Sequence, residues 1–182
     1  RATQESNDII LRPEKMKRAL PLVLLLLSQS TLADSSFVQG VKNVFQKYTN
    51  VDASDWYNKG DTAFAEYTGD NFGVYQHLKA SVRNYSINIK MEYAPGGDMS
   101  NTNHFMKMTT AVCRQVFRQV ILTPEELEKL RAWDDSVKDP FDFMKSETLS
   151  DAGRDYKQTS INGWSVKIKR AEMMTTCSAQ KQ

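Results

Sequence analysis

The sequence predicts an α+β domain: an antiparallel β-sheet with helices packed on one face, a C-terminal β-hairpin and one disulfide. Three observations carry this. Tyr85, Ile87, Ile89, Met91 and Tyr93 alternate with polar residues, the period of a half-buried strand. Asn103 to Ile121 places apolar residues at helical spacing. Asn162-Gly163, a dipeptide suited to a two-residue type I′ turn, stands between two alternating runs. The regular strand-helix alternation of a parallel sheet is missing, so the antiparallel class follows.

The first residues read as an address rather than as fold. Met16-Lys17-Arg18 precedes the apolar run 19–27, and Thr31-Leu32-Ala33 ends the segment with small residues at a cleavage position. That layout, residues 16–33, is a cleavable signal peptide. A membrane span needs roughly 20 apolar residues, and this run is shorter. Residues 1–15 precede the positively charged start, and the reading takes them as an upstream segment that is not part of the native protein. The single mature domain is then 34–182, exported to a periplasmic or extracellular space, with a leader of bacterial type. The formal charge of the whole chain is +2. Residues 1–33 hold five basic and three acidic side chains, so the mature domain is neutral. Neutrality argues against a nucleic-acid binder, whose domains are strongly basic.

Within the mature domain, Phe37, Val38, Val41, Val44, Phe45 and Tyr48 predict a helix capped by Ser35 or Ser36. Asp52 to Asp61 reads as a polar loop anchored by Trp56 and Tyr57, with the sheet beginning near Thr62. The 72–83 stretch fits either strand or helix, with strand preferred. Pro95-Gly96-Gly97-Asp98 is a turn cluster. On the helix that follows, Phe105, Met108, Val112, Cys113, Val116 and Val120 share the predicted inner face, with Cys113 on its flank, and Lys107, Arg114 and Arg118 lie opposite. Thr123-Pro124-Glu125-Glu126 predicts a capping box with Pro at the first helical position. Leu127, Leu130 and Trp133 would face inward. Asp139-Pro140 starts a shorter helix through Phe141-Asp142-Phe143-Met144. The closing hairpin runs through Tyr156–Ile161 and Trp164–Ile168, and the phase change after Arg170 suggests a bulge.

The two cysteines, Cys113 and Cys177, are expected to pair in an oxidising compartment. Closing a loop of that size contributes about 4 kcal/mol in the chain-entropy model.

Chemistry is harder to find. His77 and His104 are the only histidines, and neither stands at metal-ligand spacing from another ligand. Gly-x-Ser-x-Gly is absent, and so is any phosphate-cradling or cofactor fingerprint. Asp52, Asp55, Asp61 and Asp70 read as turn formers. Asn84-Tyr85-Ser86 matches a glycosylation acceptor. The reading therefore favours a non-catalytic exported domain that binds a protein or cell-envelope component. The candidate contacts are Trp56, Tyr57, Phe141, Phe143 and Met144, whose aromatics either anchor a partner or tuck beneath the domain, and the basic helix face Lys107, Arg114 and Arg118. Two alternatives are an exported hydrolase using Asp or His side chains, and a small apolar-ligand carrier.

Overall fold

A computed structural model of the chain describes residues 36–69, 75–93, 102–132, 136–145, 154–171 and 173–182. The leader, the Pro95–Asp98 cluster and Trp133 lie outside them.

Helix α1 (Ser36–Tyr48) precedes four strands, β1 (Trp56–Lys59), β2 (Thr62–Thr68), β3 (His77–Arg83) and β4 (Ser86–Glu92). Helices α2 (Thr102–Ile121) and α3 (Pro124–Arg131) follow, then β5 (Arg154–Ile161), β6 (Trp164–Ala171) and β7 (Met174–Lys181). The strands form one antiparallel seven-stranded sheet in the order β1-β2-β3-β4-β7-β6-β5. It is two meanders, β1–β4 and β5–β7, zipped together where β4 pairs β7 with Ile89 opposite Cys177.

The period-two pattern settles which face is covered. Leu78, Ala80 and Val82 on β3, Ile87, Ile89 and Met91 on β4, Cys177 and Ala179 on β7, and Val166 and Ile168 on β6 are buried. Their register partners place them on one face, where they meet Val38, Val41 and Phe45 of α1 and Phe105, Val116 and Phe117 of α2. Phe45 meets Trp56 edge-on at 5.4 Å. Truncating a buried phenylalanine of this kind costs about 3–5 kcal/mol.

Four local findings refine the sequence reading. First, the 52–61 region is not wholly a loop: a 3-10 turn at Ala53–Asp55 leads into the edge strand β1. Only Trp56 of β1 turns inward, so four residues show no alternation, and backbone pairing with β2 makes the strand. Second, the buried face of α2 is rotated from the expected one. Met108 is 38% exposed and Val112 only half-buried, whereas Met106, Thr109, Thr110 and Phe117 are buried and Cys113 lies at the centre. Polar groups explain the rotation: Thr109 Oγ1 meets Thr175 Oγ1 at 2.7 Å across the α2–β7 contact, and Thr110 Oγ1 accepts from Arg170. Buried hydroxyls are tolerated where each finds a partner.

Third, the phase change after Arg170 is a chain reversal rather than a bulge, because β6 ends at Ala171 and β7 begins opposite it at Met174. Fourth, the short helix after Asp139-Pro140 is one 3-10 turn, Asp142–Met144.

The remaining start and turn signals form as the residues dictate. Thr123 Oγ1 accepts from Glu126 N at 3.2 Å while Glu126 Oε2 accepts from Thr123 N at 2.8 Å. Asn162 and Gly163 both have positive φ, 48° and 77°, as a type I′ turn requires. The Cys113–Cys177 disulfide joins α2 to β7 beneath the helices, with both cysteines buried.

Candidate functional site

The opposite face of the sheet carries no helix among the described residues, and its side chains are the polar half of each alternating strand. Register aligns them in rows across the strands. One row runs Glu66, Lys79, Lys90, Thr176, Lys169, Tyr156, from β2 through β3, β4, β7 and β6 to β5. The neighbouring row runs Tyr57, Phe64, Ser81, Asn88, Ser178, Lys167, Gln158. Strands lie about 4.8 Å apart, so each row is a ladder of side chains spaced by that distance.

The β1–β2 end of this face is aromatic. Tyr57, 49% exposed, stacks on Phe64 with ring centroids 5.6 Å apart and an interplanar angle of 20°. Tyr57 Oη donates to Glu66 Oε1 at 3.3 Å. Desolvation and the adjacent Glu66 carboxylate raise the Tyr57 pKa above its ordinary value. Beside this stack is a depression of about 350 Å³ lined by Tyr57, Phe64, Glu66, Lys79, Ser81, Asn88, Lys90 and Thr176, with Ala65, Ala80 and Ile89 also contributing. Polar groups converge on it: Lys79 Nζ is 3.8 Å from Glu66, Lys90 Nζ is 2.7 Å from Glu92, and Asn88 Nδ2 donates to Ser81 Oγ at 3.5 Å. Toward β5 the balance changes. Lys167 and Lys169 are exposed and no carboxylate among the described residues pairs with either. Tyr156, 60% exposed, closes that end with its hydroxyl donating to Gln158 Oε1 at 2.7 Å.

The residues singled out from sequence are divided by the fold. Tyr57 lies in the open-face depression. Trp56, its neighbour, turns to the other side of the strand, packed on Phe45 with Lys42 Nζ 5.9 Å above its ring. Phe141 and Met144 are fully buried and Phe143 is half-buried against the core, so this segment tucks beneath the domain instead of standing in solvent. Arg114 and Arg118 are not a free basic stripe. Both donate to Asp139 Oδ2, and Arg114 also reaches Asp142 Oδ1 at 2.7 Å. A residue spacing cannot reveal this, because the acids arrive from a segment more than twenty positions downstream. Lys107 remains exposed on α2.

The histidines are separated in role. His77 Nδ1 lies 3.3 Å from Thr68 Oγ1 on the sheet, and His104 is exposed on α2. Among the described residues, no three His, Cys, Asp or Glu side chains gather as metal ligands. No helix among the described residues is long and apolar enough to cross a membrane.

Lys90, Lys167, Lys169, Thr176 and Tyr156 were not singled out from sequence. Their signal is the polar half of each strand's alternation, which shows that they share a face but not which strands are neighbours. Only the β4–β7 pairing brings Lys90 and Lys169 into one row. No family model matches the chain, and no curated protein or solved structure is significantly similar to it.

Proposed function

We propose that the protein is an exported, non-catalytic binding domain that holds a protein or cell-envelope partner on the open face of its sheet. The observation that carries this reading is the aromatic-walled depression at Tyr57 and Phe64, continuous in register with the lysines of β4 and β6. An antiparallel sheet can leave one face to solvent without any further role. A face that also sets the exposed Tyr57, stacked on the half-buried Phe64, beside a recess, and carries lysines with no carboxylate partner among the described residues, offers stacking, hydrogen bonding and charge to one ligand. The disulfide supports an oxidising location, in agreement with the signal-peptide reading.

Binding of the disulfide-bonded protein to isolated cell-envelope material tests this. Tyr57→Ala/Lys90→Glu on the open face is expected to lose most of the retained protein, while Lys47→Glu on the exposed side of α1 retains the wild-type amount. Equal retention of all three removes the open face as the contact surface.

A further inference from the structure

We infer that the open face takes an extended anionic polysaccharide lying across the strands, an inference that rests on the proposed binding role and names its ligand class. The depression near Tyr57 has a volume of about 350 Å³. The lysines without a carboxylate partner among the described residues lie outside it, on β6, so a ligand that uses both must be longer than the recess. Lys90 and Lys169 stand in one row with a single strand, β7, between them. At about 4.8 Å per strand, these two positions are roughly 10 Å apart along a line perpendicular to the strands, Lys90 shared with Glu92 at 2.7 Å and Lys169 without a carboxylate among the described residues. Lys167 flanks that line in the next row.

The chemistry of the surface selects among extended polyanions. Ser81, Asn88, Thr176, Ser178 and Gln158 supply short, neutral donors and acceptors between the charges, matched to ligand hydroxyls. Tyr57 at one end and Tyr156 at the other present amphipathic ring faces, suited to the apolar C–H faces of sugar rings. A protein partner is less well served, since protein contacts centre on a dehydrated apolar patch and this face is polar between its two tyrosines. Nucleic acid would meet the same lysines through its phosphates, and the oligonucleotide arm of the test separates it from a glycan. Carboxylate or sulfate groups on a glycan would pair with Lys167 and Lys169, with which no carboxylate among the described residues forms an ion pair.

Calorimetric titration of the disulfide-bonded protein tests this with four probes at low salt: alginate, heparin, neutral dextran and a single-stranded oligonucleotide. Alginate or heparin is expected to bind, dextran not to, and binding should weaken as salt is added. Lys167→Glu/Lys169→Glu should weaken it about tenfold or more. Tyr156→Ala should weaken it less, and Lys47→Glu/Arg131→Glu on the helix side should leave it unchanged. All these positions are exposed, so wild-type thermal unfolding of each variant is the control for folding. Dextran binding as tightly as alginate, indifference to the lysine reversals, equal loss in the helix-side variant, or tighter binding of the oligonucleotide each overturns the inference. Should no glycan bind while envelope retention still depends on Tyr57 and Lys90, the ligand class falls and the open-face reading survives. If that retention is also indifferent, both fall.

Discussion

Among the described residues, Arg170 and Asp139 are the two charged side chains of the ion pairs that the fold has drawn furthest from water. Arg170 is 1% exposed and donates to Thr110 Oγ1 on α2, to Asp155 Oδ2 on β5 and to the Met144 carbonyl of the 3-10 turn. Burial lowers its pKa and Asp155 opposes that, but a guanidinium this basic stays charged. Arg170→Ala removes the shared donor of three elements and leaves Asp155 unpaired; urea unfolding should show a loss of about 3 kcal/mol or more. Asp139 is the mirror case. Burial on its own would raise its pKa, but the Arg118 and Arg114 guanidiniums and the Phe141 N–H outweigh that and hold it down at about 2, against an ordinary 3.8. A carboxyl lowered in the folded state contributes stability that is fully present above its unfolded value and lost as pH falls through the folded one. Wild type should therefore lose stability between about pH 4 and pH 2, and Asp139→Asn should lack that component while being less stable at neutral pH. Identical pH-stability curves for the two proteins would show that the Asp139 ion pairs with Arg114 and Arg118 contribute no stability. Neither residue was legible as a partner in the sequence: an alternating strand predicts an inward residue at position 170, yet only the tertiary fold supplies acceptors for an arginine there.

At the scale of elements, legibility followed the strength of the local code. The α3 start and the β5–β6 turn are written in residue types that permit few other conformations, and both formed as read. Edge strand β1 was missed because its stability comes from pairing with β2, not from its own pattern. The α2 face was misjudged because Thr109 and Thr110 count as polar in any hydropathy pattern, yet each is satisfied inside by one hydrogen bond across an interface. The two well-read elements also touch: Asn162 Nδ2 of the hairpin turn donates to Glu126 Oε2 of the capping box at 2.9 Å. Glu126 thus serves its own helix and the hairpin together, and these hydrogen bonds outweigh desolvation in lowering its pKa. Thr123→Ala should cost about 1 kcal/mol from the cap alone. Glu126→Ala should cost somewhat more, and a double-mutant cycle with Asn162→Ala should return a non-zero coupling, whereas Thr123→Ala with a distant exposed change such as Lys47→Ala should be additive.

At the scale of the molecule, the central problem is that two meanders distant in sequence form one sheet. The seam is β4 against β7, and the helices between them must fold back across it. The sequence shows the β5–β6 hairpin, the alternation of β4 and the cysteine pair but not β1, the separate strand β7 or the seam, since strand order is a long-range property that alternation does not encode. The disulfide acts at this seam: Cys177 sits in β7 directly opposite Ile89 of β4, and its partner lies on the helix that covers both. Linking residues 64 positions apart restricts the unfolded chain, which corresponds to about 4 kcal/mol in the loop-entropy account. Because Cys113 and Cys177 are 0% and 1% exposed, a reductant reaches them only when the α2–β7 contact opens. Two measurable consequences follow. Cys113→Ala/Cys177→Ala should unfold at lower urea with a larger slope, since its unfolded chain exposes more surface. Reduction of the wild-type bond by dithiothreitol under native conditions should become independent of reductant concentration once opening limits the rate, and should accelerate in sub-denaturing urea. A rate that stays proportional to dithiothreitol, unchanged by urea, would place the bond outside the core and sever its connection to the seam.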